Sequence, residues 1–217
     1  FTSIGRLVAA FDQGSSLDPV TLRFAKLFAA LRDRRGGYFI HREGDDRDAR
    51  SNRRFVMGKL FGGEIKFENE LEFVETLDGR RVPFSALSSG QQELLPMWLL
   101  IDFLSDMSGP PRSGGDLVYI EEPEAHLFPA AQSILMDYLI GSVVSRRSNR
   151  SLLLTTHSPY ILSKLNNYLK AGSLGRSKRY VADVAKVVDR SCWLTPKRVK
   201  AYAIDSGLSL IHISEPT

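Results

Sequence analysis

The sequence predicts an α/β protein: a parallel sheet flanked by helices, with an antiparallel β and helical subdomain ahead of it. Three observations predict it. Two short apolar runs, LVYIE at 117–121 and SLLLTTH at 151–157, are each followed by a proline-led helical pattern, at Pro129 and at Pro159. Strands that are apolar throughout belong to sheets covered on both faces, and strand–helix–strand–helix order makes them parallel neighbours. Upstream, EIKFENELEFVETLDGRRVPF at 64–84 alternates apolar and polar residues, with turn signals at Glu68-Asn69 and Asp78-Gly79. That alternation is the pattern of antiparallel strands.

Taken in order, SLDPVTLRFAKLFAALRDRRGG predicts the first helix. Asp18 caps it, Pro19 suits its first turn, and Val20, Phe24, Leu27 and Leu31 form one apolar stripe before Gly36 and Gly37 end it. HREGDDRDARSNRR at 41–54 reads as a solvated loop, because Glu43, Asp45, Asp46 and Asp48 interrupt its arginines. The alternative is a contact with a phosphate backbone, and Arg32, Arg34 and Arg35 form a second such cluster. SSGQQELLPMWLLIDFLSDM at 88–107 is helical, with Pro96 expected to kink or break it early on. SGPPRSGGD at 108–116 is a loop, and one helix and one strand are expected within 177–207.

With 43% apolar residues, the 217-residue chain can bury one large core or two small ones. A single cysteine, Cys192, excludes an intramolecular disulfide framework and a thiolate metal cluster, and fits a reducing, cytoplasmic compartment. No run reaches the roughly 18 apolar residues of a membrane helix, so no membrane partner is expected. The formal charge of +4 is modest.

The chemistry gathers at three places. Glu121 and Glu122 end the first apolar strand, and ligands of open parallel sheets bind at the carboxyl ends of strands. Two adjacent carboxylates repel unless a cation or a proton intervenes. One can hold Mg²⁺, usually through water, while its neighbour orients a water for attack on a phosphoryl group. The alternative is a strand running into a solvated acidic turn. His157 ends the second strand, ahead of Ser158-Pro159, a good helix start. A neutral histidine there can hydrogen-bond a terminal phosphate; the alternative is a structural histidine. Ser88, Ser89 and Gly90 lead into the 88–107 helix, whose free N–H groups make an anion site or simply a capped helix.

In this order and spacing, these pieces resemble the C-terminal half of an ABC-type ATPase head, a P-loop NTPase. LSSGQQ at 87–92 resembles the signature, LVYIEEPEAHLFP the Walker B strand with its D-loop, and TTHSP at 155–159 the H-loop. The form EEPEAHLFPAAQ is closer to the OLD-like (overcoming-lysogenization-defect) ATPases and their SMC- and RecF-like relatives than to transporter subunits, and HSPYILSKLNNYLKAG at 157–172 extends the likeness. The specific match covers about 84–172. The resemblance implies ATP and Mg²⁺ as ligands. It implies Glu121 at the metal, Glu122 as the catalytic glutamate, and His157 as the histidine that contacts the γ-phosphate. Ser88, Ser89, Gly90 and Gln91 stand where the signature touches ATP held by a second subunit, with Ser89 replacing the usual first glycine. Pro123, Glu124, Ala125 and His126 occupy the D-loop along the dimer interface. A homodimer closed by ATP is implied, acting in DNA repair or phage defence, with DNA and a nuclease effector domain or subunit as partners. The competing readings are a transporter ATPase subunit and a non-hydrolysing, ATP-binding dimerisation module.

Under this resemblance the chain divides into an arm-like antiparallel subdomain at 1–83 and the signature, Walker B and H-loop portion at 84–207. No G-x-x-x-x-G-K-[ST] is present; the nearest candidate, Gly58-Lys59-Leu60, lacks the leading glycine and the hydroxyl residue. With no Met at Phe1, truncation ahead of the first residue is the expectation, and the chain alone is expected to bind ATP poorly and hydrolyse little. LSLIHISEPT at 208–217 resembles a translated sequencing adapter. It is set aside from the fold as an assembly artefact, with a genuine terminal strand as the alternative, and the natural sequence is expected to continue beyond about Gly207.

Overall fold

The protein is described by a computed structural model over residues 47–68, 71–106, 116–144, 150–204 and 210–213. The helix expected over 19–35 lies outside these residues, as do the first part of the Arg-rich segment and the loop expected at 108–116, except for Asp116, which is described as strand.

The rest of that segment is not a loop. Helix α1 (Arg47–Phe61) takes in residues 47–54. Arg53, Val56, Met57 and Leu60 recur at helical spacing and all four are buried, so the arginine-rich stretch is the polar start of an amphipathic helix. Strands β1 (Gly63–Glu68), β2 (Leu71–Thr76) and β3 (Arg81–Pro83) follow as an antiparallel meander in the order β1-β2-β3. Gly79 closes the second turn at a φ of 80°, a conformation open to glycine at little cost. Helix α2 (Ser89–Asp106) runs on through Pro96 without the expected break. Pro96 sits in the second turn, where Leu94, Leu95, Trp98 and Leu99 are all buried. Packing of that face offsets the missing N–H.

Strand β4 (Asp116–Glu121), helix α3 (Pro129–Val143) and strand β5 (Arg150–Thr155) form one β-α-β unit. The two strands pair in parallel, with Glu121 opposite Thr155 at their carboxyl ends. Val118, Ile120, Leu152 and Leu154 pack toward the core, whereas Leu117, Tyr119 and Leu153 are exposed. Among the described residues the sheet is therefore covered on one face, not on both as its apolar strands suggest. Helix α4 (Pro159–Leu174) leads into α5 (Val181–Val187), two short 3-10 turns (Arg190–Cys192 and Pro196–Arg198) and β6 (Ala201–Ile204). Strand β7 (Leu210–Ile213), within the segment set aside as an artefact, pairs antiparallel with β6.

One core spans residues from Val56 to Leu194. Trp98 sits at its centre, edge-on to Phe61 at 6.2 Å and stacked on Tyr138 at 6.1 Å. Arg53 enters this core paired: its Nε donates to Asp102 Oδ1 at 2.7 Å, and the Tyr138 hydroxyl donates to the same oxygen at 2.9 Å. The core thus joins α1 and the meander to α2 and α3, with β4 and β5 packed against it. No helix among the described residues is long and apolar enough to cross a membrane.

Candidate active site

Strand β4 ends at Glu121, and the chain turns at once. Glu122 adopts a φ of 43°, a left-handed backbone that L-residues rarely hold, and its N–H still donates to the Thr155 carbonyl at 3.1 Å. Backbone strain of this kind persists where neighbouring structure enforces it. Here the enforcement is the turn that follows. Ala125 N–H donates to the Glu122 carbonyl and Leu127 N–H to the Glu124 carbonyl, both at 3.0 Å. His126 is left-handed as well, at a φ of 59°. Pro123 is buried beneath the turn.

The turn brings the two predicted catalytic side chains together. His157 Nε2 lies 3.2 Å from Glu122 Oε1 across the ends of the neighbouring strands, and both side chains face solvent. An exposed pair of this kind contributes little to stability. Its interest is geometric: a carboxylate and an imidazole share one small volume at the carboxyl edge of a parallel sheet.

A third carboxylate places the histidine. Glu124 Oε1 accepts from Thr156 Oγ1 at 2.6 Å, from His157 N at 2.9 Å and from Ser158 N at 3.2 Å. The turn after β4 therefore clamps the loop after β5. Ser158 caps α4, its Oγ accepting from Tyr160 N at 3.2 Å and Ile161 N at 3.4 Å, as the Ser-Pro start predicts. The same hydroxyl donates to Gln132 Oε1 at 2.6 Å, and Gln132 Nε2 donates to the Leu127 carbonyl at 2.9 Å. The sequence pattern assigns no role to Thr156 or Gln132, and places Glu124 on an interface. Their partners lie across the β-α-β crossover, where a linear pattern carries no signal. Glu124 Oε2 is buried without a hydrogen-bond partner.

The signature-like residues sit beside this turn. Ser88 and Gln91 close a capping box at the start of α2: Gln91 N donates to Ser88 Oγ at 3.3 Å, and Ser88 N donates to Gln91 Oε1 at 3.2 Å. Gln91 Nε2 donates to the Leu60 carbonyl at 3.1 Å, so this side chain joins α2 to the end of α1. Ser88 and Ser89 are exposed, whereas Gly90 is buried. A Cβ on Gly90 would lie 3.0 Å from the His126 carbonyl carbon, closer still to its oxygen, and 3.2 Å from Leu127 Cδ2. The glycine thus has a local reason, the close approach of the 122–128 turn to α2. His126 Nε2 stands 3.9 Å from Glu93 Oε2, on the same helix face.

Glu121 is exposed at the end of β4. Among the described residues no group of three or more His, Cys, Asp or Glu side chains is placed to hold a metal ion. A single exposed carboxylate still fits Mg²⁺, which is commonly held by one or two carboxylates together with phosphate oxygens and water. Gly58, Lys59 and Leu60 lie inside α1, with the Lys59 ammonium 5.6 Å over the Phe55 ring. They form no phosphate-binding loop.

A family model described as "AAA domain, putative AbiEii toxin, Type IV TA system" matches residues 15–163, more than half of the chain. No curated protein matches the chain. The chain belongs to that AAA family, which makes its fold that of a P-loop NTPase and its class that of a nucleotide-binding ATPase.

Proposed function

We propose that this AAA-family chain is the hydrolysis half of an ABC-type, OLD-like ATPase head, working by ATP-driven homodimerisation in DNA repair or phage defence. The observation that carries the reading is the 3.2 Å approach of His157 Nε2 to Glu122 Oε1 at the carboxyl ends of two parallel strands. Phosphoryl transfer calls for positioning and charge neutralisation more than for covalent chemistry. Glu122, held outward by its left-handed backbone, orients the attacking water and accepts its proton. His157, fixed through its backbone by Glu124, donates a hydrogen bond to the terminal phosphate. Glu121 holds Mg²⁺, which when bound neutralises charge on the phosphoryl oxygens. Ser88 and Ser89, exposed at the start of α2, contact the nucleotide of a second subunit, so that closure of the dimer completes the site. ATP then favours the closed state by binding it better, and hydrolysis reverses the shift. A nuclease effector, as domain or subunit, would couple this cycle to DNA.

The test is Glu122→Gln in the full-length gene product. Loss of the charge spares nucleotide binding and removes the water-positioning group, a contribution of about 10²–10⁴-fold. Hydrolysis is expected to fall by at least that lower bound while an ATP-bound dimer accumulates in size-exclusion chromatography. Turnover within about threefold of wild type, far inside the range for a general base, would remove Glu122 from the mechanism.

A further inference from the structure

The charge of the chain is unevenly spread. Residues 170–200 hold nine Lys and Arg against two Asp, whereas the whole chain holds 29 Lys and Arg against 25 Asp and Glu. The remaining residues thus carry 20 basic against 23 acidic groups. The net positive charge of the chain thus comes from residues 170–200.

Packing gathers part of that charge into one patch. Gly175 caps α4, its N–H donating to the Ala171 carbonyl at 2.8 Å, and Arg176, Lys178 and Arg179 follow in the exposed turn. The return segment lies against the same end of the helix. Leu194 N–H donates to the Tyr168 carbonyl at 3.2 Å, and any Cβ on Gly175 would collide with the Trp193 ring. Arg190 stands over that ring, 5.8 Å from its centroid, and Arg179 stands 5.3 Å over Tyr180. Trp193 therefore has Gly175 against it and Arg190 over it, so that Arg190 and the turn that starts at Gly175 meet at one ring. The acids do not neutralise the patch. Asp183 pairs with Lys186 at 2.8 Å, and Asp189 accepts from Ser191 N at 2.8 Å and Ser191 Oγ at 2.6 Å. Among the described residues, Lys186 is the one cation of the nine with an acidic partner.

We propose that Arg176, Lys178, Arg179 and Arg190 form a binding surface for the phosphate backbone of duplex nucleic acid. Each ring has a guanidinium over one face, which orients charge at the patch. Exposed cations without acidic partners favour sequence-independent contact with closely spaced phosphates. The proposal does not rest on nucleotide hydrolysis, so it and the ATPase reading can fail separately.

The experiment is fluorescence anisotropy of a labelled, mixed-sequence DNA duplex titrated with the full chain at several salt concentrations. Four phosphate contacts predict a slope of about −3.6 in log K against log salt, an affinity about 150-fold weaker at about 200 mM than at about 50 mM salt. The triple variant Arg176→Gln, Lys178→Gln, Arg179→Gln is expected to lose about 2.7 of that slope, one share per lost phosphate. Arg176→Lys with Arg179→Lys, which keeps charge, should retain the slope, and unchanged thermal melts exclude misfolding as the cause. The proposal is overturned by no duplex binding at about 50 mM salt, by an unchanged slope in the triple variant, or by binding to phosphatidylserine vesicles without binding to DNA.

Discussion

Replacing Gly90 by alanine separates two accounts of that glycine. As part of a nucleotide-contacting signature it would matter when nucleotide is present. In the structure it matters always, because the His126 carbonyl occupies the space a Cβ needs. Restoring ordinary contact at about 3.5 Å requires the 122–128 turn to retreat by roughly 1 Å. Overpacking of this order costs about 1–3 kcal/mol. The helical preference for alanine over glycine works against it, by up to about 1 kcal/mol. Gly58 supplies the control: it lies within α1, and a methyl group added there would meet nothing within 4 Å, so Gly58→Ala receives the helical gain without the clash. In nucleotide-free buffer Gly58→Ala should raise the melting temperature and Gly90→Ala should lower it. The two should be separated by about 2–12 °C, at about 2–4 °C per kcal/mol for a chain of this size. Melting curves that shift together, in the same direction and by similar amounts, would show that the turn does not press on α2 as described. Under the proposed mechanism the same retreat shifts Glu122, and a 1 Å misplacement at a reacting centre is worth about 10²-fold in rate. Gly90→Ala should therefore lower turnover without removing any group that touches phosphate.

Glu124→Ala removes the acceptor of three hydrogen bonds from Thr156, His157 and Ser158, and should cost about 2–4 kcal/mol, since each bond to a charged acceptor contributes about 1.5–3 kcal/mol when buried and less where water can replace it. Glu124→Gln keeps an acceptor oxygen at the same reach and should cost less. Amide hydrogen exchange at His157 and Ser158 is the check, and unchanged protection in Glu124→Ala would dissolve the clamp. Cys192 is buried and its thiol is pushed up to about 11 by that burial. Its folded pKa lies above the unfolded value of about 8.5, so the stability it contributes is intact below that pH and is lost as pH rises toward 11. Denaturant midpoints should fall between pH about 8 and about 10 in the wild type and fall less in Cys192→Ser. Parallel losses in the two proteins would assign the effect elsewhere.

What the sequence made legible was local. The two carboxylates that end β4, the histidine that ends β5 and the Ser-Pro start of α4 are each written within a few consecutive residues, and the strands and helices around them follow from short apolar periods. What it left unread depends on distance along the chain. Glu124 is three residues from Glu121, yet its task is set by donors 32 to 34 residues away. No property of EEPE announces that the last carboxylate turns inward while the second faces solvent. The backbone decides it: Glu122 enters the left-handed region, which reverses the direction of the following side chains. Helix α1 escapes the sequence pattern for a related reason. Its arginines and aspartates look solvated when 41–54 is read alone, and the apolar stripe that orients them begins at Val56. Arg53 belongs to that stripe because Asp102, 49 residues on, supplies the carboxylate that makes a buried guanidinium tolerable. Of the arginines in that segment whose side chains are described, Arg53 binds Asp102 and Arg54 pairs with Glu64. The phosphate contact first suggested by the 41–54 arginines is therefore better supported by Arg176, Lys178, Arg179 and Arg190 beyond α4, which span 15 residues in two segments that meet where Trp193 packs on Gly175.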